Sequence, residues 1–388
     1  MHTILEYVGI TLVFIFILLV MGYYMSVPLT SLSAIKSEQL LYVGQRILNT
    51  IVLTTGDPKD WGKRIGDPTS FGLKLENISV GLYVLSSDKI TRLANGSVYG
   101  REFYNPFYID KEKVSRILGI NKSYGFRIEL EPILNIRIIC NKQDFPDKIN
   151  VYVYDRRNMT LPGINVTLYY IIVKWESDEI NTTVIIRERV SSITGECSFN
   201  LSSYFSNINK NDIIGYVIVA KATHYWSMSV ALSEVGNYSL ATLIGRSLYV
   251  DSSLTNGTIK HIDHVKTVFN NSKSCTSSVT GNCTELVPQV YPDVTPLFLI
   301  NVSEPTTYNT GDKTFYNYTL EFVDYASYIV MMVVSDDNNV CRLVVAVRPP
   351  LIKYGYVVPK GNVETSECFV NIAGYSYVLR LYIWRTEI

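Results

Sequence analysis

Ile149-Asn150-Val151-Tyr152-Val153-Tyr154-Asp155 is followed, six residues on, by Leu161-Pro162-Gly163-Ile164-Asn165-Val166-Thr167-Leu168-Tyr169. The first run alternates apolar and polar side chains and ends on an Asp, as a half-buried strand entering a turn does. Pro162-Gly163 supplies the entry turn of the second. Working outward, residues 183–190 and 197–201 read as further strands, separated by Thr194-Gly195-Glu196, and residues 213–222 close the set. Short strands at this spacing predict a β-sandwich over 146–240. The composition agrees, with 29 Tyr and 14 Phe in a chain that is 47% apolar and 18% charged.

The same texture returns in 241–388, with strand-like runs at 318–322, 327–334, 342–347 and 377–384 and a hairpin turn at 336–339. This predicts a second β-rich, sandwich-like domain, interrupted at 251–296 by a Ser/Thr/Asn-rich insertion. Residues 57–145 read as a small α/β unit. It has a strand at 79–85, a short helix capped by Ser87-Asp88, a second helix at 111–118 between Asp110 and Gly119, and a strand at 124–130. A chain of 388 residues has room for two or three such units.

The N-terminus differs. Residues 8–22 carry no charge, and with Tyr23 through Val27 they form an apolar run of about 20 residues, enough at ~1.5 Å each to span a bilayer's ~30 Å core. A transmembrane helix is the expectation; a cleaved signal peptide and a buried soluble helix are the alternatives. Met1 to Tyr7 holds no Lys or Arg, and no small-x-small site follows the run, which disfavours a signal peptide. From 29 to 54, Leu32, Ile35, Leu40, Val43, Ile47, Leu48 and Ile51 recur at helical spacing. Residues 1–56 therefore read as a transmembrane and stalk helix, ended by Gly56-Asp57-Pro58. The fold expected is α+β, mainly β: a long N-terminal transmembrane and stalk helix, a small α/β unit and two sandwich-like domains.

Lys36, Arg46, Lys59, Lys63 and Arg64 follow the apolar run, and by the positive-inside rule they would hold the body in the cytoplasm. Sequons oppose this. With 27 Asn and 63 Ser or Thr in 388 residues, chance gives about 4 Asn-x-Ser/Thr sites. The chain has 13: Asn77, Asn95, Asn121, Asn158, Asn165, Asn181, Asn200, Asn237, Asn256, Asn270, Asn282, Asn301 and Asn317. The excess predicts a single-pass cell-membrane protein, its bulk extracellular and bearing covalent glycans. Six cysteines fit that setting as disulfides. Cys275 with Cys283 and Cys341 with Cys368 are the preferred pairs, leaving Cys140 with Cys197; six cysteines allow 15 connectivities.

Signals for catalysis are sparse. Of the four histidines, only His261 and His264 are close, and a metal would need Asp263 or Asp251 as well. Asp336, Asp337 and Asn338 could hold calcium in a turn, but without EF-hand spacing. Neither is assigned as a metal site. No Gly-x-Ser-x-Gly, Gly-x-Gly-x-x-Gly or Gly-Lys-Ser/Thr motif occurs. The expectation is a non-catalytic protein with no cofactor. The 35 basic and 35 acidic residues are scattered, which gives no footprint for nucleic acid.

Two resemblances refine this. The order strand, Asp turn, Pro-Gly, strand, Thr-x-Gly, strand over about 85 residues resembles carboxypeptidase-regulatory-like and bacterial Ig-like modules, which implies binding or support rather than catalysis. His2-Thr3-Ile4-Leu5-Glu6-Tyr7 ahead of an apolar helix resembles the mature N-terminus of type IV pilins, where a Glu stands fifth; loss of Met1 would make Glu6 fifth. The basic leader and cleavage site of that family are absent. The Trp61-Gly62 turn after an amphipathic helix is similar to pilin-like surface proteins of archaea. Three functions follow: an anchored surface protein with a structural, adhesive or interaction role; a filament subunit whose N-terminal helices form a core, with Glu6 in assembly; and, third, an ectoenzyme. The partners implied are a membrane and further copies or other surface proteins.

Overall fold

The computed structural model describes residues 2–76, 83–98, 101–121, 123–140, 145–176, 179–205, 208–209, 212–222, 227–232, 238–255, 260–268, 298–300, 305–311, 313–320, 329–335, 341–348 and 352–386. At its centre is strand Asn165–Glu176. Val166, Leu168, Tyr170 and Ile172 enter one core, with Ile149, Val151, Val153 and Phe199. Tyr169, Ile171 and Val173 enter another, with Val217, Met331, Leu343 and Val345. A strand apolar on both faces has to be covered on both.

Four β-layers result. The first holds Asn135–Cys140, Lys148–Tyr154 and Glu196–Asn200. The second holds Ser227–Leu232, Ile213–Ala222, Asn165–Glu176 and Glu179–Val190, all antiparallel. The third runs Tyr238–Leu240, Cys341–Val347, Ile329–Ser335, Lys260–Val268, Phe298–Ile300, and the fourth Thr242–Ile244, Ser247–Asp251, Thr314–Thr319, Thr306–Asn309. Strand Cys341–Val347 repeats the two-faced pattern: Leu343 and Val345 face the second layer's core, Val344 and Ala346 the fourth's. The middle layers approach closely where Gly215 meets Leu343; a Cβ on Gly215 would lie 3.0 Å from Leu343 Cδ2.

A fifth sheet takes strands from both ends of the chain, in the order Val84–Leu85, Val363–Ile372, Tyr375–Arg385, Tyr124–Pro132, Ile352–Gly355. On it lies helix α1, His2–Leu53, against the Val363–Ile372 and Tyr375–Arg385 strands. Leu40, Ile47, Leu48, Ile51 and Val52 are buried there. Gly44 permits the approach, because a Cβ would sit 3.1 Å from Ser366 Oγ and 3.2 Å from Ile383 Cγ2. Arg385 Nη2 donates to Gln39 Oε1 at 2.7 Å. The helix ends at Leu53, and the chain turns at Gly56, whose φ of 72° suits glycine. Its last carbonyls are then taken by the amides of Leu73 and Lys74, which donate to Ile51 O and Thr54 O. Two short helices complete the frame, α2 (Ser87–Thr91) and α3 (Lys111–Ile117), the latter capped by the Asp110 carboxylate.

Several expectations are corrected here. Among the described residues no helix is long and apolar enough to cross a membrane. The transmembrane segment, the single-pass anchor and the localisation built on them are therefore overturned. Residues 57–145 form no separate α/β unit: Tyr124–Pro132 pairs with Tyr375–Arg385 and Ile352–Gly355, Val84–Leu85 pairs with Val363–Ile372, and Asn135–Cys140 joins the first sandwich. Nor does 241–388 stay together, since its last three strands leave to build the sheet under α1. Alternation shows which face of a strand is apolar, not which strand it pairs with.

No disulfide joins Cys140, Cys197, Cys341 or Cys368. Cys140 and Cys197 lie on strands separated by Lys148–Tyr154 and two residues out of register, hence more than about 9.6 Å apart at ~4.8 Å per strand, beyond the reach of a disulfide. Cys341 and Cys368 belong to different sheets. Cys275 and Cys283 lie outside the described residues.

The seat of α1 is testable. Gly44→Val should push the helix off Ser366 and Ile383 at a cost of about 1–3 kcal/mol. A lower midpoint of thermal unfolding by circular dichroism is expected, and an unchanged midpoint would mean the helix does not pack there.

Candidate functional site

Three features stand out: a buried ionic centre around α2, a polar cleft beside it, and the apolar N-terminal part of α1. In the first, every residue from Ser86 to Ala94 is buried. Charged groups cannot be left there without partners, and each has them. Lys89 Nζ donates to Thr55 O at 2.9 Å and Lys74 O at 2.8 Å, with Glu76 Oε1 at 3.8 Å. Arg92 Nη1 donates to Trp61 O, Arg64 O and Gly66 O at 2.6, 2.9 and 2.8 Å, and its Nε to Phe107 O at 3.0 Å. Its guanidinium carbon lies 5.5 Å from the Trp61 ring centre. Asp88 pairs with the buried Arg348 and accepts from Gly245 N at 2.9 Å. Three parts of the chain, 55–76, 86–94 and the pair Gly245 and Arg348, are thereby tied at one point. Desolvation pulls Lys89 down to about 8, against the attraction of Glu76, and Arg92 down to about 10. The donors are spent on backbone carbonyls, so this centre is a clasp rather than a place for substrate.

The cleft, of about 610 Å³, opens between the sheet under α1 and the first sandwich. Glu131, Lys353 and Arg380 of that sheet line it; on the sheet, Glu367, Arg380, Glu129 and Lys353 fall in one cross-strand row of alternating sign. Arg380 Nη1 donates to Glu131 Oε2 at 2.8 Å and its Nε to Glu367 Oε2 at 3.4 Å. Arg156, from the turn after Lys148–Tyr154, pairs with Glu367 across the cleft and holds that carboxyl below its usual range. Asp155 Oδ1 fixes the turn by accepting from the amides of Arg157 and Met159, each at 2.8 Å.

On α1, side chains 11–23 are exposed on every side of the helix, with Phe16 and Leu19 each 68% exposed. The side chain of Glu6 lies outside the described residues.

The sequence-predicted sites scatter. Asn95, Asn121, Asn158 and Asn200 are exposed, Asn165 and Asn317 half-buried, and Asn181 lies in a strand. Asn77, Asn237, Asn256, Asn270, Asn282 and Asn301 lie outside the described residues. Asn95 and Asn158 both line the cleft. His261 and His264 sit in strand Lys260–Val268, not on the helix that would bring i and i+3 onto one face. Asp251 is engaged by Lys313 at 2.9 Å and by Ser253. Among the described residues no group of His, Cys, Asp and Glu is placed to hold a metal; Asp336, Asp337 and Asn338 lie outside them. Sequence reasoning marked Ser87-Asp88 only as a helix cap and missed the clasp.

No family model and no curated protein matches the chain.

The clasp has a pH signature. Lys89 titrates near 8 when folded and near 10.5 when unfolded, so the folded protein loses this proton first. Its burial cost is fully present below pH 8 and relieved as pH rises to 10.5. Relative to Lys89→Met, the wild type should gain up to ~3 kcal/mol across that window in denaturant unfolding. Parallel pH profiles for the two proteins would refute the assignment.

Proposed function

We propose that this protein is a non-catalytic structural subunit that assembles with copies of itself through the N-terminal part of α1, displaying the β-layers outward. The observation that carries it is the contrast along one continuous helix. Residues 40–52 are rooted in the core, while 11–23 present Leu, Val, Ile, Phe and Met on every side. A helix apolar all round needs cover on all sides, and a bundle of identical helices gives it. The root makes the free part a rigid arm: α1 is about 78 Å long at ~1.5 Å per residue, and Gly44 and Gln39 fix its exit direction. The resemblance of His2 to Tyr7 to pilin N-termini supports the same arrangement, with Glu6 at the head of the arm.

Phe16→Asp with Leu19→Asp places two charges in the proposed core without touching the β-layers. The wild type should sediment as large assemblies, visible by electron microscopy as filaments or helical-core particles. The double variant should shift to monomer by at least tenfold in mass while keeping its circular dichroism spectrum. A wild-type protein that stays monomeric at all concentrations sinks the proposal.

A further inference from the structure

The cleft between the sheet under α1 and the first sandwich has a feature the assembly reading does not use. Two of the exposed sequon asparagines, from chain positions 63 residues apart, line the same 610 Å³ space. Asn95 stands at the start of the Gly96–Val98 hairpin, and Asn158 at the tip of the Asp155-fixed turn, in the left-handed region at φ 59°. Both amides are held in the same sense. Asn105 N donates to Asn95 Oδ1 at 3.3 Å, and Asn135 Nδ2 donates to Asn158 Oδ1 at 3.4 Å. In each the oxygen is anchored, and among the described residues the Nδ2 makes no hydrogen bond. Nδ2 is the atom an N-linked sugar replaces a hydrogen on, so attachment leaves both anchoring bonds intact.

The walls suit a sugar. Ser97, Ser229, Lys353 and Glu131 offer hydroxyl, ammonium and carboxylate groups beside apolar side chains such as Ile352 and Met228, on which the faces of sugar rings can lie. Hydroxyl-rich rings can bond to both signs of charge. The volume lies within the range of sites that enclose a drug-sized ligand.

We infer that the cleft is the seat of the chain's own N-linked oligosaccharide, attached at Asn158 or Asn95, which packs between the two units it separates. The covalent step is ordinary glycan transfer: the Asn Nδ2 displaces a lipid-pyrophosphate leaving group from the sugar C1 and loses one proton. The inference rests on the sequons being used, and not on the assembly proposed above.

The test uses protein purified from its own cells. Glycopeptide mass spectrometry reads occupancy at all described sequons. Thr160→Ala and Ser97→Ala then remove attachment while leaving both asparagines and their hydrogen bonds in place. Glycan at Asn158 or Asn95 is expected, and its loss should raise amide hydrogen exchange in 93–98, 130–136 and 155–159 at least tenfold, with Asn121 and Asn200 variants (Ser123→Ala, Ser202→Ala) causing no change there. No glycan at any sequon refutes glycosylation altogether. Glycan at other sites only, or cleft exchange that ignores its removal, refutes the seat alone. Sedimentation of the same variants should be unchanged, which keeps this outcome separate from the failure of assembly.

Discussion

The constraint on which the structure depends is that strands of the two middle layers are apolar on both faces. Asn165–Glu176 and Cys341–Val347 each present buried side chains up and down. Neither can lie at the surface, and neither can sit in a sandwich whose outer face meets water. Placing their sheets against each other, with Gly215 allowing contact with Leu343, buries the inner faces. It leaves the outer faces to recruit one further sheet each. The four-layer stack is the consequence, and the two sandwiches cannot be taken apart without uncovering Tyr169, Ile171, Leu343 and Val345 together.

The α2 clasp solves the complementary problem. The chain returns several times to the junction of stack and helix-bearing sheet, and each return leaves backbone carbonyls away from water. Lys89 and Arg92 satisfy five distinct backbone carbonyl oxygens besides Phe107 O. Asp88 and Arg348 lock 245 and 348 to the same point. Removing one member of such a pair strands the other in low dielectric, which costs more than the pair itself contributes. This gives α1 a stiff base.

Strands between 148 and 222, the amphipathic half of α1 and the Asp110 cap were legible because each rests on local periodicity or on a residue next to the backbone it serves. Strand partners were not. The alternation at 124–130 marks Phe126, Ile128 and Leu130 as one buried face, yet gives no hint that the neighbours come from 352–355 and 375–385. The disulfide reading failed for the same reason: parity and spacing count cysteines, whereas strand order sets the distance between them. The clasp was hidden because Lys and Arg are read as solvated unless a fold surrounds them.

The sequence by itself determined which segments are strands, which faces of them are apolar, where α1 changes from apolar on all sides to one-sided, and where the sequons lie. These are properties of period and residue type. Only the tertiary structure decided that two sheets stack face to face, that strands from both ends share one sheet, that Asp88, Lys89 and Arg92 are interior, and that Asn95 and Asn158 face one cleft. Each of those depends on contacts between residues tens to hundreds of positions apart, and no local pattern carries that distance.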